Sequence, residues 1–190
     1  MNAAVLQAIA VVKRGGIIIY PTDTAFGIGC RIDDHAAVDR LFTLRKRPLD
    51  MPTPVLVSSP DMALAYFDTE SLIVRRLMKN HWPGALTIVA PCKVKKIYSP
   101  IRGSGATIGL RMPDHEIPLT IIDGVGVPVI GTSANFHGEP TAFAYQELDK
   151  TLIKLVDFVV PGVCKHRTAS TVVDCSVDPY KIIRQGAITL

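Results

Sequence analysis

Apolar residues in the N-terminal part of the chain fall first at helical spacing and then in a short continuous run. The helical spacing extends over Ala3–Arg14 and stops at Gly15-Gly16, as expected at the C-terminal end of a helix. The run Ile17–Tyr20 predicts a strand, and the pattern over His35–Arg45 predicts a second helix with an aspartate before it as N-cap. The chain therefore begins with helix, turn, strand and helix.

The rest of the chain continues this mixture of short elements. Further strands are predicted at Val55–Val57, Leu86–Ala90, Thr107–Arg111, Pro128–Gly131, Phe158–Val160, Thr171–Asp174 and Lys181–Arg184. Further helices are predicted to begin at Ser59-Pro60-Asp61 and to cover Ser71–Lys79, Ile117–Ile122 and Ala142–Leu148. Because strands and helices do not alternate strictly, we predict an α/β (α+β) fold: one twisted sheet of mixed parallel and antiparallel strands, flanked by helices, with a concave binding face.

Composition adds a domain count and excludes several classes of protein. With 190 residues, 48% of them hydrophobic, the chain suits one buried core, so we predict a single domain over residues 1–190. The net charge of +4 permits a nucleotide or RNA partner but does not indicate one. No apolar run approaches the ~20 residues of a membrane span, and no signal peptide is evident, so we expect a cytoplasmic protein without a membrane partner. The four cysteines lack C-x-x-C spacing, which indicates free thiols and no zinc site.

Four polar stretches stand where predicted apolar elements end, and they are the candidates for chemistry. They are Pro21–Thr24, Arg45–Arg47, Arg111 and Thr132–Asn135. Loops at strand ends bind ligands in open α/β sheets, because the scaffold fixes them while their backbone groups stay free. Taken singly, each stretch also fits a structural interpretation: a turn, a helix end, a surface cation or a cap. The two common glycine-rich phosphate loops are absent from the sequence, so side chains would have to hold a nucleotide.

In their order along the chain, these stretches form a series that is much more specific than any one of them. The series is Tyr20-Pro-Thr-Asp-Thr24, Leu44-Arg-Lys-Arg-Pro48, Trp82-Pro-Gly-Ala-Leu-Thr87, Leu110-Arg-Met-Pro-Asp-His115, Ser133-Ala-Asn135, Ser170-Thr-Val-Val173 and Arg184-Gln-Gly186. It resembles the YrdC/YciO family over nearly the whole chain. Within that family it looks most like the short, single-domain threonylcarbamoyl-AMP synthases, because the chain ends where longer relatives add a C-terminal domain.

The resemblance implies an enzyme that joins three substrates. L-threonine and bicarbonate give a carbamate, whose oxygen attacks the α-phosphate of ATP to form threonylcarbamoyl-adenylate and pyrophosphate, with Mg²⁺ on the ATP phosphates. The product serves the threonylcarbamoylation (t6A modification) of transfer RNA by a separate threonylcarbamoyl transferase complex. Arginine forks suit this chemistry, because charge develops on phosphate oxygens in a site that excludes water.

The family's K-x-R and S-x-N motifs, matched position by position, imply the site residues. Arg45 and Arg47 are the expected catalytic cations. The expected ATP contacts are Arg45, Arg47, Thr107, Ser133, Asn135, Thr141 and Arg184. The expected threonine contacts are Thr22, Arg111 on the carboxylate, the backbone at Gly131, and Ser170. A pocket that reads the threonine hydroxyl rejects amino acids without one, because its buried donors would be left unpaired.

Departures from the family pattern keep other activities open. Arg45 stands where the family usually has Lys, and Met51 where many members have Lys; an Arg is wider and cannot act as a compact point charge at a phosphate. One alternative is a YciO-like relative that binds nucleotide or RNA on a basic concave face without this reaction, in which case binding weakens steeply with salt. Another is a carbamoyl-adenylate enzyme for a different substrate, although such domains lie inside longer chains with zinc motifs. The intact Ser133-Ala134-Asn135 favours the synthase.

Asp23 is the one carboxylate among the polar stretches at strand ends. Its place in the Pro-Thr-Asp-Thr stretch suggests a general base. Bicarbonate chemistry with a deprotonated amine needs no such base, so we expect a structural or metal-water role for this side chain.

Overall fold

A computed structural model describes residues 2–190, a range that contains six α-helices and ten strands. The helices are α1 (Ala3–Lys13), α2 (His35–Leu44), α3 (Pro60–Leu64), α4 (Leu72–His81), α5 (Glu116–Val125) and α6 (Lys150–Leu155). The strands are β1 (Ile18–Tyr20), β2 (Gly27–Gly29), β3 (Val55–Leu56), β4 (Leu86–Pro91), β5 (Thr107–Arg111), β6 (Val129–Ile130), β7 (Thr132–Ser133), β8 (Phe158–Val159), β9 (Thr171–Asp174) and β10 (Lys181–Arg184). Single turns of 3-10 helix lie at Val94–Lys96, Ser99–Arg102 and Tyr145–Glu147.

The strands form two hydrogen-bonded sheets. The four-stranded sheet has the order β7-β2-β1-β8, in which β1 pairs antiparallel with β2 and parallel with β8. The six-stranded sheet has the order β10-β9-β4-β5-β3-β6, with parallel pairs β4–β9 and β3–β5 and antiparallel pairs elsewhere. The α/β class and the mixed pairing are confirmed, whereas the expected single sheet is divided in two.

One extended segment after α5 joins the two sheets. Its Ser133 opposes Gly27 in the four-stranded sheet. Its Val129 opposes Arg31 through an isolated bridge and also opposes Leu56 of β3 in the six-stranded sheet. The same stretch of backbone is therefore shared by both sheets and fixes one against the other.

Helices cover one face of the six-stranded sheet and only part of the other. The part that is covered lies under α1 and α5, whose core includes Tyr20, Leu56 and Val129. Arg111 is in register with Leu56 and so lies on the same face, but beyond these two helices β4, β5 and β9 alternate between buried and partly exposed residues. This alternation leaves an open stretch of sheet beside α1 and α5.

All eight strands predicted from the sequence are present, and β5, β9 and β10 have the predicted bounds. The strands β2 and β7 were not predicted, because a Gly-Ile-Gly and a Thr-Ser stretch lack the apolar signature of a strand. Within residues 2–190, no helix is long and apolar enough to cross a membrane. The cysteines Cys30, Cys92, Cys164 and Cys175 are free thiols, as expected.

The helix predicted over Ala142–Leu148 is wrong. Only the 3-10 turn Tyr145–Glu147 forms there, because the Glu147 carboxylate folds back to accept hydrogen bonds from the amides of Phe143 and Ala144. Asp149 then caps a new helix, α6, which the sequence pattern did not predict.

Gly29 marks the point of closest approach between the shared segment and β2. A Cβ atom on Gly29 would lie 1.7 Å from the carbonyl oxygen of Ile130, so Gly29→Ala must displace backbone. We expect this variant to lose about 3 kcal/mol or more of unfolding free energy in urea denaturation.

Gly105→Ala is the matched control, because Gly105 is exposed and its added Cβ would meet only the Arg102 carbonyl oxygen, at 3.3 Å. That variant should stay within about 1 kcal/mol of the parent protein. Equal stability losses in the two variants would contradict the close approach at Gly29.

Candidate functional site

The loop after β1 is buried and folded around its own hydroxyls. Thr22, Asp23 and Thr24 are all buried although polar. Thr22 Oγ1 donates to the Ala25 carbonyl at 2.7 Å and accepts from the amides of Thr24 and Ala25. The Thr22 hydroxyl thus closes the turn of this loop through backbone hydrogen bonds, and a turn was one of the structural interpretations that the sequence allowed.

Asp23 and Arg111 form a buried ion pair that holds this loop against the end of β5. Arg111 Nη1 donates to Asp23 Oδ1 at 2.6 Å, and both side chains are almost fully enclosed. Asp23 Oδ2 has no hydrogen-bond partner within residues 2–190. A buried carboxylate with one unpaired oxygen is held in place by its single strong partner, so Asp23 has a structural role in positioning Arg111.

Arg184 and Ser170 form the next part of the open face. Arg184 Nη2 donates to the Ser170 carbonyl at 2.9 Å and to Ser170 Oγ at 3.1 Å, and Ser170 Oγ lies 2.9 Å from Thr87 Oγ1 on β4. Partial burial of the guanidinium and then the nearby charge of Arg111 lower the pKa of Arg184. Two cations therefore stand close together here, opposed by a single carboxylate.

The C-terminal end of α2 directs Arg45 and Arg47 to different places. Lys46 N–H bonds to the Thr43 carbonyl and Arg47 N–H to the Phe42 carbonyl, which is the hydrogen-bond pattern of a Schellman motif. Lys46 takes the left-handed position, with φ of 54°, and its ammonium lies 5.4 Å from the centroid of the Phe136 ring. The reversal of the chain at Lys46 explains why the arginines on its two sides have different surroundings.

Arg45 is buried against the loop that follows β7. Its guanidinium donates to Thr132 Oγ1 at 2.8 Å, to the Asn135 carbonyl at 2.9 Å and to Asn135 Oδ1 at 3.1 Å. Burial, and then the nearby charge of Arg47, lower the pKa of Arg45 to about 10. Ser133 Oγ donates to Asn135 Oδ1 at 2.6 Å, which completes a connected polar loop.

Arg47 lies at the edge of the same region and is only partly buried. Its Nη2 donates to the Pro52 carbonyl at 2.5 Å, and partial burial lowers its pKa. Within residues 2–190, none of Arg45, Arg47 and Arg184 forms an ion pair with a carboxylate. Together with Arg111, four guanidinium groups are balanced by Asp23 alone, which favours an anionic ligand.

Two of the three remaining predicted site residues border this cluster, and the third lies apart from it. Gly131 lies in the shared segment, where a Cβ would meet Leu56 Cγ at 2.2 Å, so only glycine fits beside β3. Thr141 precedes Ala142, whose carbonyl accepts from the Phe26 amide next to the site loops. Thr107 is partly exposed at the far end of β5, roughly 13 Å along the strand from Arg111, and stands apart from the cluster.

Three residues of the cluster were not assigned from the sequence. Thr132 and Thr87 are buried hydroxyls that bond to Arg45 and Ser170, and Lys46 takes the left-handed turn. A threonine inside the apolar run Leu86–Ala90 was a usable signal for Thr87. Within residues 2–190, no three His, Cys, Asp or Glu side chains come together as a metal site.

The arrangement supplies two kinds of chemistry, one on the six-stranded sheet and one around the loop after β7. Arg111 and Arg184, with the hydroxyls of Ser170 and Thr87, suit a small ligand that carries a carboxylate. Arg47, with Ser133 and Asn135, suits a phosphate chain. Fold and site thus define a mixed-sheet α/β protein with a cation-rich site for small anionic ligands.

The chain belongs to the Sua5/YciO/YrdC family, whose sequence profile, described as telomere recombination, matches residues 10–186. Threonylcarbamoyl-AMP synthase of Bacillus subtilis is 30% identical over 189 residues, which cover 97% of this chain and 54% of that protein. The chain therefore spans about half the length of this relative. The uncharacterized protein YciO of Escherichia coli is also 30% identical, over 95% of this chain and 87% of its own length.

Solved structures agree with the sequence comparison. Sua5 of Pyrococcus abyssi, complexed with L-threonine, has a TM-score of 0.89 at 27% identity, over 96% of this chain and 54% of that chain. YciO of Escherichia coli has a TM-score of 0.86 at 28% identity, over 96% of this chain and 88% of that chain. The resemblance to the YrdC/YciO family and the fold class are thereby confirmed.

The left-handed backbone at Lys46 predicts that a glycine variant is more stable than an alanine variant at this position. A non-glycine residue in this conformation costs about 1 kcal/mol, so Lys46→Gly should be about 1 kcal/mol more stable than Lys46→Ala in urea denaturation. Both variants lose the contact with Phe136, so their difference isolates the backbone effect. The opposite order, which is normal inside a helix, would contradict the described helix end.

Proposed function

We propose that the protein is an L-threonylcarbamoyladenylate synthase, a nucleotidyltransferase that acts on L-threonine, bicarbonate and ATP. The observation that carries this proposal is the division of the site into two cationic halves. One half contains the buried Arg111–Asp23 pair and Ser170, joined through Arg184. The other contains Arg47, which is close enough to Arg45 to lower its pKa, and the Ser133–Asn135 loop to which Arg45 is bonded. Relatives named threonylcarbamoyl-AMP synthase and a threonine complex of Sua5 support it further.

The reaction needs no resident cofactor. The free amine of threonine attacks the carbon of bicarbonate, and loss of water leaves a carbamate. A carbamate oxygen then attacks the α-phosphorus of ATP, the bond from that phosphorus to the bridging oxygen breaks, and pyrophosphate leaves. Mg²⁺ enters with ATP, and Arg47 would neutralise charge that develops on the phosphate oxygens.

In the proposed threonine half, the carboxylate of the substrate would lie close to Arg111 and Arg184. Arg111 is oriented by Asp23, and Arg184 adds a second positive charge, so a substrate carboxylate would offset the like-charge contact between them. Ser170 Oγ, held between Arg184 and Thr87, is the hydroxyl best placed to read threonine. Thr22 Oγ1 already has its own loop as partner, which suits a role in shaping the pocket.

The wider role follows from the same chemistry. A threonylcarbamoyl-adenylate is a reactive mixed anhydride, so a separate threonylcarbamoyl transferase complex would consume it for tRNA modification. We propose a cytoplasmic site for this chemistry, because ATP, threonine and transfer RNA meet there.

A second candidate is a YciO-like protein that binds nucleotide or RNA without the synthase reaction. The burial of Arg45 favours this alternative, because a cation bonded to protein oxygens is less available to a phosphate. It predicts binding that weakens steeply with salt and does not depend on threonine.

Pyrophosphate release tests the proposed reaction directly. With MgATP and bicarbonate, release should require L-threonine; L-serine should be roughly 10- to 200-fold less effective, and L-valine should give no more than background. ATP binding without threonine-dependent release would reject the synthase and support the YciO-like alternative.

Arg111→Lys tests the threonine half while it keeps a positive charge beside Asp23. Loss of the planar fork should raise the KM for threonine about tenfold or more and leave the KM for ATP within about twofold. Arg75→Lys, an exposed arginine on α4, is the matched control and should change neither value. Equal effects on both substrates, at an unchanged melting temperature, would remove Arg111 from the threonine half.

A further inference from the structure

Arg45 differs from the other cations of the site in how its guanidinium is used. The residue is 2% exposed. Each of its three side-chain nitrogens donates a hydrogen bond within the protein: Nε to the Asn135 carbonyl, Nη1 to Thr132 Oγ1 and Nη2 to Asn135 Oδ1. A fork that binds a phosphate needs free donors and accessible surface, and Arg45 keeps two of its five N–H donors but almost no accessible surface.

The bonds of Arg45 all lead to the loop that carries Ser133 and Asn135. Asn135 Oδ1 accepts from Arg45 and from Ser133 Oγ, while Asn135 Nδ2 donates to the Glu139 carbonyl. The amide is therefore fixed on both sides. Its orientation in turn fixes the direction in which the Ser133 hydroxyl points.

We propose that Arg45 is a positioning residue, which holds Ser133 and Asn135 in place for the nucleotide through Thr132 and the Asn135 amide, and that it is not a ligand of the phosphates. This inference rests on the proposed function for the identity of the nucleotide as MgATP. A lysine at this position carries all its donors on one nitrogen and cannot span Thr132 and both oxygens of Asn135. Arg45, which stands where the family usually has Lys, is thus suited to holding the loop of Ser133 and Asn135 in place.

Arg47 is the cation that remains for the phosphates. Its side chain is only partly buried, and its bonds to the carbonyls of Met51 and Pro52 involve Nε and Nη2. It lies two residues beyond Arg45, after the reversal of the chain at Lys46. The two arginines of the motif therefore have different roles in this proposal: Arg45 holds the loop of Ser133 and Asn135, and Arg47 binds the phosphates.

Thr132→Val is the decisive variant, because it removes the hydroxyl that accepts from Arg45 and leaves every charge in place. Isothermal titration should give about tenfold weaker MgATP binding, whereas the affinity for threonine stays within about twofold, which a general loss of structure would not allow. Thr151→Val, at an exposed position on α6, is the control and should bind MgATP like the parent.

Arg45→Lys and Asn135→Ala form a double-mutant cycle on the same binding assay. The loss of MgATP affinity in the double variant should be clearly smaller than the product of the two single losses, because Arg45 acts in part through that amide. Inorganic pyrophosphate, which carries no nucleoside, should bind about tenfold more weakly to Arg47→Ala and less than about threefold more weakly to Arg45→Lys.

Multiplicative losses in the cycle, or an unchanged MgATP affinity in Thr132→Val, would overturn the positioning role. If Arg45→Lys does not fold, the Thr132→Val result decides alone. A parent protein that binds neither MgATP nor pyrophosphate would also overturn the inference. A parent that binds MgATP with these variant effects, but releases no pyrophosphate in response to threonine, would reject the proposed reaction and keep the positioning role.

Discussion

The antiparallel pairing between the segment around Gly29 and the segment around Ile130 is the constraint on which the rest of the molecule depends. It belongs to both sheets, and it leaves no space for a side chain at Gly29. Because its register is set by backbone hydrogen bonds, it places the loop that precedes β2 beside the loop that follows β7. The threonine half and the phosphate half of the site are therefore brought together by main chain, before any side chain contributes.

The site retains an electrostatic imbalance that folding alone does not resolve. A buried charge without an opposite charge is unfavourable by several kcal/mol, even when neutral oxygens satisfy its hydrogen bonds. Arg45 has only such neutral partners, and Asp23 offsets one guanidinium of the four. The lowered pKa of Arg45 is the physical expression of this imbalance. On the proposed function, an anionic substrate would supply the missing charge, so the protein should be more stable with its ligand than without it.

Strands with a clear apolar or β-branched pattern could be predicted from the sequence, whereas strands that form through tertiary contacts could not. Strands β5 and β9 carry β-branched and apolar residues and end at a charged residue, so their bounds could be predicted. The strands β2 and β7 contain glycine or hydroxyl residues and form only because the partner strand is present. The site motifs assigned Arg45 and Asn135 to one expected ATP site, and the two residues are in contact, but no sequence pattern reveals that the guanidinium points into the protein. The bridging role of Thr132 was hidden for the same reason, because its partner lies 87 positions away.

Because β10 lies at the edge of its sheet, the part of the site that it carries differs in local stability from the rest. All four residues of this strand are largely exposed, with only the Arg184 guanidinium partly covered where it meets Ser170, and the strand has one neighbouring strand. Exposed edge strands open at a smaller free energy than the core, so amide hydrogens in β10 should exchange with solvent earlier than those of β4 or β5. The wall of the site that carries Arg184 is therefore expected to open before the central strands of the sheet do.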